Sequence, residues 1–209
     1  MAKASEVVAK QETRHLERKA RKELLLREAA TLFVSNGYEK TTMNDIAAAM
    51  GMKGPAIYYY VDSKEELISL IFRAATERFK EQVIDRVYAV DDAEERLRVL
   101  VRSGIELCLR DREVALLLGY AESQSDQGAK PHTIAAREHS RFIRKVLKTI
   151  LDDYAKAKKL EHPIDLSVAV FFLSAMNIWL PKWFRSTGRL NEQELVNEMT
   201  RFVLQGFAG

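Results

Sequence analysis

The segment from Thr42 to Leu67, TMNDIAAAMGMKGPAIYYYVDSKEEL, places two short helices close together and starts a third. Apolar residues recur at helical spacing over residues 43–50, and Gly51 follows where a left-handed residue is expected to close the helix. Pro55 suits the first turn of a second helix, because its missing N–H would have no helical partner there. The run Ser63–Glu66 is an S-x-x-E capping box for a third helix. Two short helices joined by a turn that holds glycine predict a helix-turn-helix.

The rest of the chain is also predicted to be helical. Strand-like alternation is nearly absent, and only four prolines and nine glycines interrupt the apolar periodicity. We therefore predict an all-α protein with a basic N-terminal arm at 1–17, a three-helix helix-turn-helix domain at 18–66 and a helical ligand-binding and dimerisation domain at 67–209. The first helix is expected to end at Asn36, and the helix after Ser63 to end near Tyr88.

Several classes of protein find little support in the sequence. The single cysteine, Cys108, rules out an internal disulfide and suits a reducing cytoplasm. No signal peptide and no membrane-length apolar run free of polar residues is present, so we expect no membrane association. The four histidines lack metal-ligand spacing, and the phosphate-loop and nucleophile-elbow motifs are missing. We accordingly predict no metal, no cofactor and no catalytic residues.

Many spaced positions between residues 20 and 70 agree with one family pattern. They are Leu26, Ala29, Ala30, Phe33, Gly37, Tyr38, Gly51, Ile57, Tyr58, Tyr60, Ser63, Lys64, Glu65 and Leu67. On these residues the chain resembles the tetracycline-repressor (TetR) family of bacterial transcription regulators. The resemblance implies a homodimer that binds double-stranded operator DNA and a small-molecule effector. Two positions depart from the family, which often has Ser or Thr in place of Lys53 and Gly in place of Pro55.

The second helix of the motif, the recognition helix, is expected to carry most of the DNA contacts. The predicted DNA-binding residues are Thr42, Lys53, Gly54, Pro55, Ala56, Tyr58, Tyr59 and Lys64. Small residues let the backbone approach DNA, and tyrosines can donate to phosphates and contact thymine methyl groups. Lys64 lies at a helix N-terminus, where it could share one phosphate with backbone N–H groups. Ile57, Val61 and Tyr60 are expected to face the core instead.

A basic cluster lies at the start of the first helix. It consists of Arg14, Arg18, Lys19, Arg21 and Lys22, interspersed with glutamates. One interpretation is a solvated helix face. The other is an arm that contacts phosphates, since Lys and Arg neutralise backbone charge without reading sequence.

The last two predicted helices indicate a homodimer. The segment from Pro163 to Phe184 is apolar nearly all round, and a helix of that kind needs a partner surface as well as a core. Pro181 should kink or break it, because proline removes an N–H and crowds the carbonyl four residues earlier. A capping box at Asn191 opens the final helix, which runs to Phe207. Two such helices per protomer can form a four-helix interface with their symmetry mates.

Candidates for lining an effector pocket are large or polarizable residues of the C-terminal half, each of which is more often plain core. They are Ile105, Cys108, Leu109, Leu118, Tyr120, Phe142, Phe172, Met176, Trp179 and Arg185. The segment 177–184, followed by Gly188–Leu190, is similar to one in TetR members that sense fatty acyl-CoA or related thioesters. That similarity suggests an acyl-CoA or fatty acid whose charged head meets Lys182, Arg185 or Arg189.

The sequence therefore predicts a cytoplasmic, homodimeric, DNA-binding transcription regulator, most simply a repressor released from its operator by a small apolar or acyl-type ligand. An activator or a repressor without a ligand is one alternative. A ligand-binding helical protein or enzyme that does not bind DNA is the other.

Overall fold

The computed structural model describes residues 2–124, 128–160 and 165–208, with the backbone alone at 2–12, 15, 207 and 208. Every regular element in these ranges is helical, which confirms the all-α prediction. The elements are α1 (Ala2–Asn36), α2 (Met43–Ala49), a 3-10 helix (Gly54–Tyr59), α3 (Lys64–Phe79), a π-helical turn (Lys80–Ile84), α4 (Asp85–Tyr88), α5 (Ala93–Arg110), α6 (Arg112–Ser123), α7 (Pro131–Lys158), α8 (Leu166–Trp183) and α9 (Glu192–Ala208).

The chain divides into two compact units, Met1–Ile71 and Phe72–Gly209. The division falls within α3, the helix that also contains the predicted boundary after residue 66. The predicted functional boundaries of arm, DNA-binding domain and ligand-binding domain stay predictions.

The first unit forms around one buried face of α1 and the two short helices that follow. Leu25, Phe33, Ile46 and Ile57 are fully buried there. The helix α1 begins at Ala2, so the segment predicted to be a frayed or helical arm is helical and continues into the first helix without a break. Gly51 adopts φ +64°, as expected for the residue that closes α2.

Helix caps follow the sequence closely. Thr42 and Asp45 form a reciprocal capping box at α2, and Asn191 and Glu194 form one at α9. Ser63 accepts the N–H of Glu66 at 3.0 Å, as predicted for α3. The carboxylate of Glu66, however, accepts the backbone N–H of residue 62, so this box is only half formed.

Of the two expectations for Pro181, a kink or a break, the break is wrong, because α8 continues to Trp183. Proline removes the N–H that would bond the carbonyl of Asn177. That carbonyl instead accepts the thiol S–H of Cys108 from α5, with sulfur and oxygen 2.8 Å apart. Cys108 is buried, and burial raises the pKa of its thiol to about 12, so it acts as a neutral donor. The predicted start of this helix at Pro163 lies outside the described residues.

The outer face of α8 is unusually apolar. Val170 is 5% exposed and belongs to the core, whereas Phe172 is 64% exposed. Four exposed residues of α8 recur at steps that return to one side of a helix: Val168, Phe172, Trp179 and Trp183. We call them the apolar stripe of α8. By length and composition α8 could cross a membrane, a property that core helices of soluble proteins share.

Candidate functional site

The recognition helix, Gly54–Tyr59, presents an exposed surface built on one buried residue. Ile57 is fully buried, with Val61 beside it in the core, as predicted. The exposed residues of this segment are Lys53, Pro55, Ala56, Tyr58 and Tyr59, and the partly exposed ones are Gly54 and Tyr60. A Cβ at Gly54 would collide with the end of the Asn44 side chain, so the recognition helix meets α2 closely at this glycine. This surface combines small residues, two tyrosines and one lysine.

Thr42, predicted to contact DNA, donates both of its hydrogen bonds to a residue of α2. Its backbone N–H and its hydroxyl lie 2.8 Å and 2.7 Å from Oδ2 of Asp45, which accepts both. These bonds lower the pKa of the Asp45 carboxyl, the backbone N–H contributing most. Thr42 therefore caps α2 and has no donor left for a phosphate.

Lys64 was also predicted to bind a phosphate, but in this structure its ammonium group bonds to the protein backbone. Its Nζ donates to the backbone carbonyls of Tyr38, Glu39 and Thr41, at 3.0, 3.3 and 3.1 Å. The ammonium also lies 4.6 Å from the centre of the Tyr38 ring. An ammonium group has three N–H donors, so all of them are used within the first unit. Lys64 holds the connection between α1 and α2.

The second unit contains a largely apolar cavity of about 140 Å³. Apolar residues of six helices line it: Ala75, Phe79, Leu100, Val101, Ile105, Leu118, Ile143, Leu147, Leu173, Met176, Ile178 and Met199. A cavity of this composition favours an apolar group as its occupant.

The cavity contains only part of the predicted set of ligand-binding residues. Ile105, Cys108, Leu118 and Met176 lie in its wall. The other six predicted residues do not line the cavity: Leu109, Tyr120, Phe142, Phe172, Trp179 and Arg185. Phe172 and Trp179 point away from it because they belong to the exposed stripe of α8. The sequence analysis missed the polar residues of the wall: Asp111, Glu122, His139, Ser140, Arg144, Ser174 and Asn177.

His139 is a neutral imidazole in the cavity wall. Its Nδ1 lies 2.8 Å from Oγ1 of Thr76, whose hydroxyl also lies 2.9 Å from the carbonyl oxygen of Phe72. Burial, with a smaller contribution from Arg78, lowers the pKa of His139 to about 4. The hydroxyl has one proton, so a bond to the Phe72 carbonyl makes Thr76 the acceptor for an Nδ1–H. Nε2 is then the ring's acceptor nitrogen.

Unfolding should depend on pH through His139. The unfolded imidazole binds a proton below about pH 6.5 and the folded one only below about pH 4, so stability is lost as pH falls between these values. His139 alone should contribute about 2 kcal/mol to the loss of wild-type stability between pH 7 and pH 5. Urea unfolding at both pH values should show that His139→Phe lacks this component. Equal pH dependence of the two proteins would contradict it.

The charged part of the wall differs from the predicted one. Ser140 donates to Oε1 of Glu122 at 2.6 Å, and Nη1 of Arg144 lies 4.0 Å from the same oxygen. Arg144 is thus the cation of the cavity wall. The predicted cations lie elsewhere: Lys182, Arg185 and Arg189 are exposed, and Nζ of Lys182 lies 4.1 Å from the centre of the Trp179 ring.

Comparisons with known proteins find relatives for both parts of the chain. Residues 25–71 match the family described as bacterial regulatory proteins, tetR family, and residues 90–207 match the tetracyclin repressor-like C-terminal domain. The chain is 26% identical over 184 residues to the HTH-type transcriptional repressor KstR2 of Rhodococcus jostii, covering 88% of this chain and 89% of that protein.

Two solved structures extend the comparison. AibR, in complex with isovaleryl coenzyme A and operator DNA, is 29% identical with a TM-score of 0.73, over 87% of this chain and 97% of that one. The ketosteroid transcriptional regulator KstR2 of Mycobacterium tuberculosis shares the fold, with a TM-score of 0.75 at 22% identity over 90% and 95% of the two chains. With more than half of its length matched by the C-terminal pattern alone, the chain belongs to the tetracycline-repressor family of bacterial regulatory proteins.

Proposed function

We propose that this transcription regulator is a homodimeric repressor that a small apolar or acyl-type ligand releases from its operator. The observation that carries the proposal is the apolar cavity of the second unit, in a chain whose first unit exposes a recognition helix. The likeness to AibR, whose structure holds both isovaleryl coenzyme A and operator DNA, supports the same pair of partners here.

The size of the cavity favours a short acyl or small ring group. An apolar cavity of about 150 Å³ holds one benzene molecule, and this cavity is about 140 Å³. A group of about six carbons therefore fits without movement of the walls. A longer chain or a coenzyme A moiety needs the walls to open or must lie outside them. Arg144 offers a cation to a carbonyl or carboxylate oxygen of the ligand.

Release requires a ligand with different affinities for the two states of the protein. The helix α3 begins at Lys64 in the first unit and contributes Ala75 and Phe79 to the cavity wall in the second. A ligand that displaces these two side chains acts on a helix that also belongs to the DNA-binding unit. A preference of about 1–3 kcal/mol weakens operator binding about 5- to 150-fold, and operator DNA weakens ligand binding equally.

A titration with matched variants tests the proposal. The full-length protein selects a duplex from a random DNA pool, and fluorescence anisotropy follows its release by short acyl-CoAs, free fatty acids and unrelated aromatics. We expect the short acyl compounds to release the wild type. Gly104→Ala adds a methyl to the cavity wall at ordinary contact distance, 3.6 Å from Nδ2 of Asn177. Because a change of that size is worth about 1–3 kcal/mol in an apolar pocket, ligand affinity should fall about tenfold or more.

The control is Gly206→Ala in α9, where a Cβ meets no atom within 4 Å. Both changes replace a helical glycine, so both raise helix propensity alike, and only Gly104→Ala should alter release. Release by none of the compounds contradicts the acyl ligand. Selection of no duplex at physiological salt favours the rival function, a helical ligand-binding protein or enzyme that does not bind DNA.

A further inference from the structure

The buried face of α1 continues towards the N-terminus as a row of arginines. Leu25 and Phe33 lie on this face and are fully buried in the first unit. Steps of three and four residues return to the same side of a helix, so Arg21, Arg18 and Arg14 extend it beyond the core. All three side chains are exposed. We call these three residues the arginine row.

One contact fixes the direction in which the arginine row faces. The guanidinium carbon of Arg18 lies 5.0 Å from the centre of the Tyr59 ring. Tyr59 belongs to the outward surface of the recognition helix and is 66% exposed. The arginine row therefore adjoins the surface that the proposed function assigns to DNA.

The chemistry of Arg18 suits two contacts at once. A guanidinium is planar, so its flat side can stack on an aromatic ring while the N–H groups at its edge remain free to donate. Those edge donors match the oxygens of a phosphate, which a single guanidinium can bind in a bidentate manner. A lysine ammonium has no flat side and binds a phosphate as a point charge.

We propose that the arginine row is a second DNA-contacting surface, in which Arg18 binds a backbone phosphate beside the recognition helix and holds Tyr59 in position. Arg14 and Arg21, exposed on the same side of α1, add their positive charge to this surface. This inference rests on the proposed DNA binding and adds to it residues outside the helix-turn-helix. Phosphate contacts fix the register of a protein on DNA without reading its sequence, so the arginine row contributes affinity and orientation.

The test compares two exposed arginines of the same helix. Arg27 is exposed and lies nine residues from Arg18, which places it on the opposite side of α1. The full-length variants Arg18→Ala and Arg27→Ala are titrated with the duplex selected by the wild type, from low to physiological salt. Each phosphate contact contributes about 0.9 to the slope of log affinity against log salt. We expect Arg18→Ala to reduce this slope by about one, with a loss of affinity of about tenfold, and Arg27→Ala to change neither.

A double-mutant cycle tests the second contact of Arg18. Tyr59→Leu removes the ring, and if Arg18 positions Tyr59, the losses from Arg18→Ala and Tyr59→Leu are not additive. Additive losses overturn the positioning role, and a slope in Arg18→Ala equal to that of Arg27→Ala overturns the phosphate contact. Wild-type protein that selects no duplex overturns the proposed function together with this inference, so the two failures are distinguishable.

Discussion

A Phe172→Asp variant is expected to be a folded monomer that has lost its operator affinity. Phe172 lies in the middle of the apolar stripe of α8, and 64% of its surface is exposed in the single chain. Phe202 of α9 is also exposed, and together these helices offer an apolar surface of the kind that a homodimer interface buries. An aspartate there becomes a buried charge without a partner, at a cost of about 3–5 kcal/mol. The dimer dissociation constant should therefore rise about 10²- to 10³-fold or more.

Sedimentation and circular dichroism separate loss of assembly from loss of fold. Ser167→Asp places the same charge on an exposed position of α8 outside the stripe and should remain a dimer. Val170→Asp, two residues before Phe172, places it in the core of one protomer, where the wild-type side chain is 5% exposed, and should not fold. A wild-type protein that sediments as a folded monomer at micromolar concentration would end the homodimer proposal.

The boundaries of most elements could be predicted because the signals that set them are local. The box between Thr42 and Asp45 and that between Asn191 and Glu194 each join residues three apart, and both form as the sequence indicates. Gly51 closes α2 for an equally local reason, its left-handed backbone. Such features depend on the backbone of one turn and need no knowledge of what packs against it.

The cavity could not be predicted with the same success, because it depends on which helix face is inward. Periodicity identifies an inward face only where one face is polar, and α8 is apolar nearly all round. Met176 and Trp179 are therefore indistinguishable in the sequence, yet one lines the cavity and the other is exposed. The same limit applies to Pro181, because the Asn177 carbonyl that it leaves without an N–H accepts the S–H of Cys108 from another helix.

Replacing Lys64 by methionine is expected to destabilise the first unit by about 2–3 kcal/mol. This is less than the sum for three charge-assisted hydrogen bonds at about 1.5–3 kcal/mol each, because the side chain is partly exposed. Methionine keeps an unbranched apolar stem but removes the donors to three carbonyls of the connection between α1 and α2. Thermal unfolding should shift downward, and amide hydrogen exchange should accelerate most in α2 and the recognition helix. Operator affinity should fall for all sequences alike, because the recognition helix is less often in its folded position.

Lys53→Met is the matched control for this prediction. Lys53 is exposed and immediately precedes the recognition helix, and its side chain makes no capping bond there. Its loss should leave unfolding unchanged and reduce the salt slope of operator binding by about one, as a phosphate contact requires. Lys64→Met should instead lower the unfolding temperature and leave the salt slope unchanged, when binding is measured well below the unfolding transition. A lysine whose three donors already bond carbonyls has none left for DNA. A reduced salt slope and unchanged unfolding in Lys64→Met would contradict this and support the phosphate contact that the sequence suggests.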